Sequence, residues 1–133
     1  MVMEILYGTE KRLYDLIAPL VLNPAVIRQN RGFAFKTTPK HRWIVFIEEE
    51  DKCTGFLPIQ IRNNVGKINN YYVKNQDEEI FSSLLKKALD YAKRQNFEAL
   101  DIIAQIEDYK IVQKQGFTAE TKFVNYTRFR KQL

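Results

Sequence analysis

The chain has 133 residues, of which 45% are hydrophobic and 13% are aromatic, so it is long and apolar enough to build one core. Disorder is excluded as a description of the whole, because disordered chains have low hydrophobicity. Twenty-one Lys and Arg against 16 Asp and Glu give a modest net charge of +5. We expect residues 1–133 to form a single domain.

Nothing in the sequence predicts a membrane partner. A membrane-spanning helix needs about 20 consecutive apolar residues. The longest uncharged apolar stretch, 16–27, is interrupted by Pro19 and Pro24. The first residues lack the pattern of a secretory signal, and the single cysteine, Cys53, has no partner for an internal disulfide. These observations predict a cytoplasmic protein.

The N-terminal third begins with a strand and continues with a helix. Residues 3–7 have the composition of a short strand. Thr9 and Glu10 then form a plausible helix start, and apolar residues recur at helical spacing up to residue 20. The pair Asn23 and Pro24 predicts the end of this helix.

Three strands joined by tight turns are predicted in the middle of the chain. Residues 42–47 contain a continuous apolar run, 53–62 form the returning strand, and 67–73 form the third. The intervening charged and Asn-rich segments predict turns, and therefore an antiparallel meander. Pro58 argues against the second strand, because proline donates no ladder hydrogen bond and usually lies at an edge or a bulge.

A long helix begins near Asp77, where the hydrophobic period changes to three-to-four spacing. Its apolar face comprises Ile80, Phe81, Leu84, Leu85, Ala88, Leu89 and Ala92. Residues 99–104 then have the composition of a buried strand. Strand, helix and strand in this order predict that 67–74 and 99–104 are parallel neighbours.

The last third predicts a second helix over 107–115, closed by Gly116, and a pair of strands over 117–120 and 122–131. The predicted fold class is therefore α/β (α+β), with a mixed, largely antiparallel twisted sheet. The sheet contains one parallel βαβ pair and is flanked by helices.

This order of elements resembles the GNAT superfamily of acyl-CoA-dependent N-acyltransferases. Residues 68–73, followed by the helix with 84–93, look like the family's fourth strand and its cofactor-binding helix. The segment 114–117, Lys-Gln-Gly-Phe, is similar to the family's recurring Lys-x-Gly-Phe, and 124–126 look like its closing strand. The resemblance covers roughly the last two thirds of the chain.

The resemblance implies a co-substrate, an acceptor and an oligomeric state. Acetyl-CoA or another acyl-CoA would lie between the fourth and fifth strands, and an unidentified small-molecule or protein amine would accept the acyl group. By analogy with the family, the backbone of Tyr72 and Val73 would bind the pantetheine arm, and Gln76 would begin the loop that binds the pyrophosphate. The family also suggests a homodimer.

The pyrophosphate loop departs from the family's pattern. The usual loop reads Gln or Arg, x, x, Gly, x, Gly or Ala, and residues 76–81 match it only at Gln76. Three carboxylates, Asp77, Glu78 and Glu79, stand where the cofactor's negative charge would lie, which opposes its binding. Alternatively, Asn75 and Glu78 have the spacing of a capping box, which would occupy the helix's first donors internally.

The catalytic candidates are Tyr109 and Glu107. Many family members have a tyrosine four residues before the glycine, where it protonates the leaving thiolate, but this chain has Val112 there. Tyr109 lies one turn earlier and is also explained by packing. Glu107 and Asp108 are candidates for relaying a proton from the amine, or simply acids at a helix N-terminus.

A basic span at 28–42 suggests an anionic partner, because no acidic residue occurs from 16 to 47. Its cations and aromatics are Arg28, Arg31, Phe33, Phe35, Lys36, Lys40 and Arg42. The span is either a binding surface or a solvated loop. It supports a second hypothesis, in which the chain is a catalytically inactive GNAT-like protein that binds nucleic acid or a protein.

No metal site is predicted, because His41 is the only histidine and no zinc-ligand spacing occurs. Cys53 lies in a predicted strand, which favours a buried, inert thiol over a nucleophile. A catalytic pair of Cys53 and His41 is left open by the sequence. The two functional hypotheses are therefore an N-acyltransferase that uses acyl-CoA and an inactive binding protein of the same fold.

Overall fold

Eight strands and four helices make up the fold in a computed structural model that describes residues 2–133. The strands are β1 (Val2–Tyr7), β2 (His41–Ile47), β3 (Cys53–Arg62), β4 (Val65–Ile68), β5 (Tyr72–Val73), β6 (Ala99–Gln105), β7 (Thr118–Lys122) and β8 (Tyr126–Gln132). The helices are α1 (Lys11–Val21), α2 (Pro24–Gln29), α3 (Glu78–Arg94) and α4 (Tyr109–Lys114). Two 3₁₀ turns, Lys74–Gln76 and Ile106–Asp108, precede α3 and α4.

All the strands belong to one sheet in the order β1-β2-β3-β4-β6-β8-β7, with β5 paired to β3 beside β4. Every pairing is antiparallel except that of β4 with β6, which are parallel because α3 carries the chain back between them. This confirms the predicted fold class, a mixed and largely antiparallel sheet with one parallel βαβ pair.

Two hydrophobic cores cover the two faces of the sheet. In β2, Ile44 and Phe46 join the core beneath α3, whereas Trp43, Val45 and Ile47 join the core beneath α1 and α2. The apolar run in β2 is continuous because both of its faces are buried. Within residues 2–133, no helix combines the length and the hydrophobicity of a membrane-crossing segment.

The predicted strand 67–73 is wrong as one continuous element. Ile68 in β4 is opposite Ile59, and Tyr72 in β5 is opposite Phe56, so the chain gains one residue on the β4–β5 side. Asn70, with a φ of 56°, lies in this bulge. The bulge reverses the alternation of side chains, so that Tyr71 joins Ile68 in the core beneath α3.

The bulge also accounts for Pro58. On this side of β3, ladder partners belong to Ile59 and Phe56, and neither Pro58 nor Leu57 is opposite a paired residue. A central strand tolerates the missing N–H of a proline where its neighbour has bulged away. The objection raised by Pro58 therefore disappears.

Two further boundaries differ from prediction. Pro24 begins the short helix α2 instead of only ending α1, because Asn23 caps the new helix by accepting a 2.9 Å hydrogen bond from the Ala25 N–H. The closing strand starts at Tyr126 and not at residue 122, because β7 extends to Lys122 and residues 123–125 form the turn. Gly116 has a φ of 93°, which confirms its predicted role after α4.

Candidate active site

The sheet splits at the centre of the molecule, between β5 and β6. The parallel ladder of β4 and β6 ends at the pair Ile68 and Ile102. Beyond it, β5 pairs only with β3, while residues 103–105 of β6 pair with β8. A wedge therefore opens between β5 and β6, beyond the end of the paired strands β4 and β6, and we call this wedge the strand gap.

Gln29, the last residue of α2, fills the strand gap. Its side-chain amide donates a 3.0 Å hydrogen bond to the backbone carbonyl of Val73. The backbone carbonyl of Gln29 accepts a 3.2 Å hydrogen bond from the side-chain amide of Gln105. The cavity left there has a volume of only about 20 Å³. The carbonyl of Val73 is thus already an acceptor for an amide N–H.

The buried Tyr71 and the half-buried Asp108 form a hydrogen-bonded pair that lines the gap. The Tyr71 hydroxyl donates to Asp108 Oδ2 at 2.6 Å and accepts a 3.0 Å bond from the backbone N–H of Gln105. Its ring stacks on Phe81, with the ring centroids 4.9 Å apart. Three elements therefore fix the position of the hydroxyl.

The surroundings shift both pKa values of this pair upward. Burial, followed by the negative charge of Asp108, raises the pKa of Tyr71 well above its ordinary value, so the phenol stays neutral. Burial also raises the pKa of the Asp108 carboxyl, and the Tyr71 hydrogen bond only partly opposes this. Asp108 accepts a proton more readily than a solvent-exposed aspartate does.

Asp77 caps α3, and the predicted capping box of Asn75 and Glu78 is wrong. Asp77 Oδ1 accepts hydrogen bonds from the backbone N–H groups of Glu79 at 3.0 Å and Ile80 at 3.1 Å. Asn75 lies one turn outside the helix, with a φ of 57°. Two of the N–H donors that a helix N-terminus offers to an anion are therefore occupied by the chain's own carboxylate.

The loop before α3 adopts left-handed backbone without any glycine. Asn75 and Gln76 have φ values of 57° and 50°, a conformation that usually favours glycine. Gln76 lines the strand gap. Phe81, which occupies the place of the family's second glycine, is 2% exposed and belongs to the core. Phe81 therefore replaces the family's small residue with a side chain that is part of the core.

A larger cavity of about 510 Å³ opens beside the gap, and we call it the acceptor pocket. Its lining residues are Asn30, Arg31, Phe33, Ala34, Lys36, Lys67, Asn69, Asn70, Tyr71, Ile103, Gln105, Phe123, Tyr126 and Arg128. Tyr71 and Gln105 line both this pocket and the strand gap. The Tyr71 and Asp108 pair therefore lies where the two cavities meet.

The residues predicted as catalytic, Tyr109 and Glu107, are not among those that line the strand gap or the acceptor pocket. The Tyr109 hydroxyl accepts a 2.7 Å hydrogen bond from Thr127, and its ring packs edge-on against Phe129 with centroids 5.3 Å apart. Glu107 forms an ion pair with Arg31 at 3.1 Å. Each side chain has a structural partner, and their catalytic roles stay predictions.

Of the predicted cofactor-binding residues, Tyr72 turns its side chain away from the strand gap. Its ring lies 5.7 Å from that of Phe56, in the core beneath α1 and α2. The carbonyl of Val73 accepts the Gln29 bond in the gap, whereas Tyr72 is paired with Phe56 of β3. The backbone roles of Tyr72 and Val73 stay predictions. Sequence reasoning named Tyr72 and Val73 but missed Tyr71, because a regular strand would direct Tyr71 to the opposite face.

His41 and Cys53 lie at opposite ends of the paired strands β2 and β3. Cys53 is opposite Ile47, six residues along β2 from His41, which corresponds to about 20 Å. Burial raises the pKa of the Cys53 thiol to about 11, as expected of an inert cysteine. The two residues form no catalytic pair. Within residues 2–133, no group of three or more His, Cys, Asp or Glu side chains is arranged to hold a metal ion.

The structure also bears on the predicted anionic surface. Arg31 and Lys36 line the acceptor pocket. Arg42 lies away from it, with its guanidinium 4.1 Å from the ring centroid of Tyr7. The basic span 28–42 is therefore divided between two places. The homodimer and the cytoplasmic location both stay predictions.

Comparison with solved structures identifies the fold, whereas no family model and no curated sequence matches the chain. Tetrahymena GCN5 is 18% identical with a TM-score of 0.80, covering 99% of this chain and 96% of its own. An acyl-CoA N-acyltransferase from Pseudomonas aeruginosa is 15% identical with a TM-score of 0.77, covering 98% and 99%. An acetyltransferase of the GNAT family from Staphylococcus aureus MU50 is 12% identical with a TM-score of 0.72, covering 99% of both chains. The chain has the fold of the GNAT acyltransferases.

Proposed function

We propose that the protein is an N-acyltransferase that moves an acyl group from an acyl-CoA thioester to an amine. One observation carries this proposal. The Tyr71 hydroxyl, held by Asp108 and by the Gln105 N–H, lies between a narrow gap and a wide pocket. A donor arm in the gap and an acceptor in the pocket would meet at this hydroxyl.

The chain's own residues provide a path for the amine's proton. Acyl-CoA would supply the activated thioester, and the transfer converts an amine and a thioester into an amide and a free thiol. The Tyr71 oxygen keeps one lone pair for the amine's proton, while its own hydrogen passes to Asp108. The raised pKa of Asp108 favours this step. The leaving thiolate takes up one proton and Asp108 afterwards releases the one it gained, so the number of protons is balanced over the reaction.

The site fits the pantetheine arm of acyl-CoA better than it fits the diphosphate. In the strand gap, the carbonyl of Val73 holds an amide N–H from Gln29, and a pantetheine amide offers the same donor. Displacing Gln29 would therefore open the gap without leaving Val73 unpaired. At the start of α3, however, Asp77 occupies two of the N–H donors that would bind a diphosphate, those of Glu79 and Ile80. We expect acyl-CoA to bind, but weakly.

The test is acetyl transfer from acetyl-CoA to a panel of amines, measured by thiol release, for wild type and Tyr71→Phe. The variant keeps the ring that stacks on Phe81 but cannot relay a proton. We expect kcat to fall by about 10²-fold or more, as for other general acid–base groups. Tyr91→Phe, a change on α3 outside both cavities, is the matched control. Wild-type activity in Tyr71→Phe would contradict the proposed role.

A second candidate is the inactive binding protein, which the occupied helix terminus favours. Asp77 on the donors of Glu79 and Ile80, together with the closed strand gap, describes a fold that could have lost its co-substrate. This candidate predicts no saturable stabilisation by acetyl-CoA or CoA. It also predicts association with an anionic polymer that weakens steeply as salt rises.

A further inference from the structure

The acceptor pocket has cations on its walls and no acidic residue among its lining. The four cations come from three parts of the chain: Arg31 and Lys36 from the span 28–42, Lys67 from β4 and Arg128 from β8. The carboxylate of Glu107 is nearby but is paired with Arg31. The electrostatic potential inside the pocket therefore favours a negative charge.

The charge of a second acid near the pocket, Asp101, is neutralised by Arg130. Asp101 is opposite Lys67 in the parallel ladder of β4 and β6. Both of its carboxylate oxygens accept hydrogen bonds from Arg130, at 2.7 and 3.0 Å. Lys67 has no ion-pair partner within residues 2–133. Its charge is available to a ligand in the pocket.

Arg128 contributes a charge at the floor of the pocket. It is opposite Ile103 in the pairing of β6 and β8, and both residues line the cavity. Its Nε is buried and has no hydrogen-bond partner in the part of the chain that the structure describes. A buried guanidinium nitrogen without an acceptor is costly, and an anion in the pocket that Arg128 lines would stabilise the charge of this side chain.

Exposed aromatic rings form the rim of the pocket. Phe33 and Phe123 are 59% and 46% exposed, although large apolar side chains usually avoid water. Phe123 lies 4.9 Å from the ring of Tyr126, which also lines the pocket. The rim therefore suits an apolar or planar group, whereas the floor suits an anion.

The wall of the pocket is held in place by Asn30. This residue is 7% exposed, and its side-chain amide donates to the carbonyl of Phe33 at 3.0 Å and to the side chain of Asn70 at 3.1 Å. The segment that carries Arg31 and Phe33 is thereby tied to the bulge that carries Tyr71. The cations, the rim and the hydroxyl form one fixed arrangement.

We propose that the acceptor pocket binds an amine acceptor that carries a carboxylate or phosphate group and an apolar body. The substrate class rests on the proposed function, because the amine is assigned to the end of the pocket at Tyr71. The acidic group lies toward Lys67 and Arg128, and the apolar body lies under Phe33 and Phe123. A volume of about 510 Å³ suits a small molecule.

Binding is tested without any acyl transfer. Benzoate, phenyl phosphate and the neutral benzamide are titrated into isotopically labelled protein, and the resonances of Ile103 and Arg128 are followed by NMR. We expect saturable shifts with benzoate or phenyl phosphate and weak ones with benzamide. The double variant Lys67→Gln, Arg128→Gln should lose about tenfold or more in affinity, because bonds to charged groups are lost.

Lys86→Gln is the control for charge, since Lys86 is an exposed residue of α3 outside the pocket. It removes one positive charge, whereas the double variant removes two. Equal binding of benzamide and benzoate would overturn the proposal, as would equal losses in the control and in the double variant. Whichever anion binds more tightly identifies the acidic group as carboxylate or phosphate.

The acceptor assignment is tested by acetyl transfer to phenylalanine and to phenylalaninamide, which lacks the carboxylate. We expect kcat/KM to be about tenfold or more higher for phenylalanine, and the preference to disappear in the double variant. A wild-type preference for the amide would overturn the assignment. If anions bind in the NMR titration but no amine is acetylated, the proposed function fails and the anion site stands.

Discussion

Replacing Asp77 should convert a poor CoA site into a better one. In Asp77→Gly the backbone N–H groups of Glu79 and Ile80 lose their internal acceptor, and one negative charge disappears. Asp77→Asn removes the charge but keeps a good N-cap, because asparagine and aspartate cap helices equally well. The two variants therefore separate two effects of Asp77: the repulsion between its charge and the diphosphate, and its occupation of the N–H donors.

The expected gain follows from two terms. A carboxylate about 4 Å from a phosphate charge costs about 1 kcal/mol at the dielectric constant of water, which is about fivefold in affinity. A hydrogen bond from a freed N–H to the phosphate adds about 1.5 kcal/mol. We therefore expect CoA affinity to rise about fivefold in Asp77→Asn and about 70-fold in Asp77→Gly. Both variants should stay folded, because glycine is also tolerated at an N-cap.

Calorimetric titration with CoA and with pantetheine checks this reasoning. Pantetheine has the same arm but no diphosphate, so its affinity should not change in either variant. Asp90→Asn removes the same charge about 20 Å further along α3 and serves as the control. Unchanged CoA affinity in Asp77→Gly, or an equal gain for pantetheine, would refute the idea that this carboxylate blocks the diphosphate.

Two further predictions follow from the shifted pKa values. At pH 8 a thiol reagent should label native Cys53 about 100-fold more slowly than urea-unfolded protein, because the folded pKa is about 11 against an ordinary value of 9.0; equal rates would contradict the burial of this thiol. Because the pKa of Asp108 is raised on folding, the native state binds its proton more tightly than the unfolded state, and the ionised carboxylate costs stability above the ordinary pKa. In urea unfolding, Asp108→Asn should therefore be more stable than wild type at pH 7, and the difference in unfolding free energy should shrink as the pH falls toward 4. The variant should also lose acetyl transfer. A stability difference that does not depend on pH would count against this account.

Much of the fold could be predicted because its signals are local and strong. The uninterrupted apolar run of β2 and the three-to-four spacing in α3 each leave one reasonable interpretation. Gly116 marked the end of α4 correctly because few other residues adopt its φ. The order of these elements was then enough to predict the parallel pair of β4 and β6.

The site was harder to predict, because it depends on single-residue choices that the sequence leaves degenerate. Asn75 and Asp77 are both good N-caps, and which of them caps α3 depends on where the helix begins. The bulge at Asn70 has no signal in a segment whose tyrosines and valine favour strands. Missing the bulge meant assigning Tyr71 to the wrong face.

The bulge between β4 and β5 also limits how the chain can change in evolution. A substitution at Asn69 or Asn70 alters one side chain, but the loss of one residue would restore simple alternation from Ile68 onward. Tyr71 would then stay on the face of Ile68, beside Asp108, because the bulge adds the one residue that such a deletion removes. If the lost residue is Asn70, however, the hydrogen bond from Asn30 is lost with it. We expect relatives without Asn70 to keep Tyr71 in place but to lose the bond that ties the bulge to the segment carrying Arg31 and Phe33.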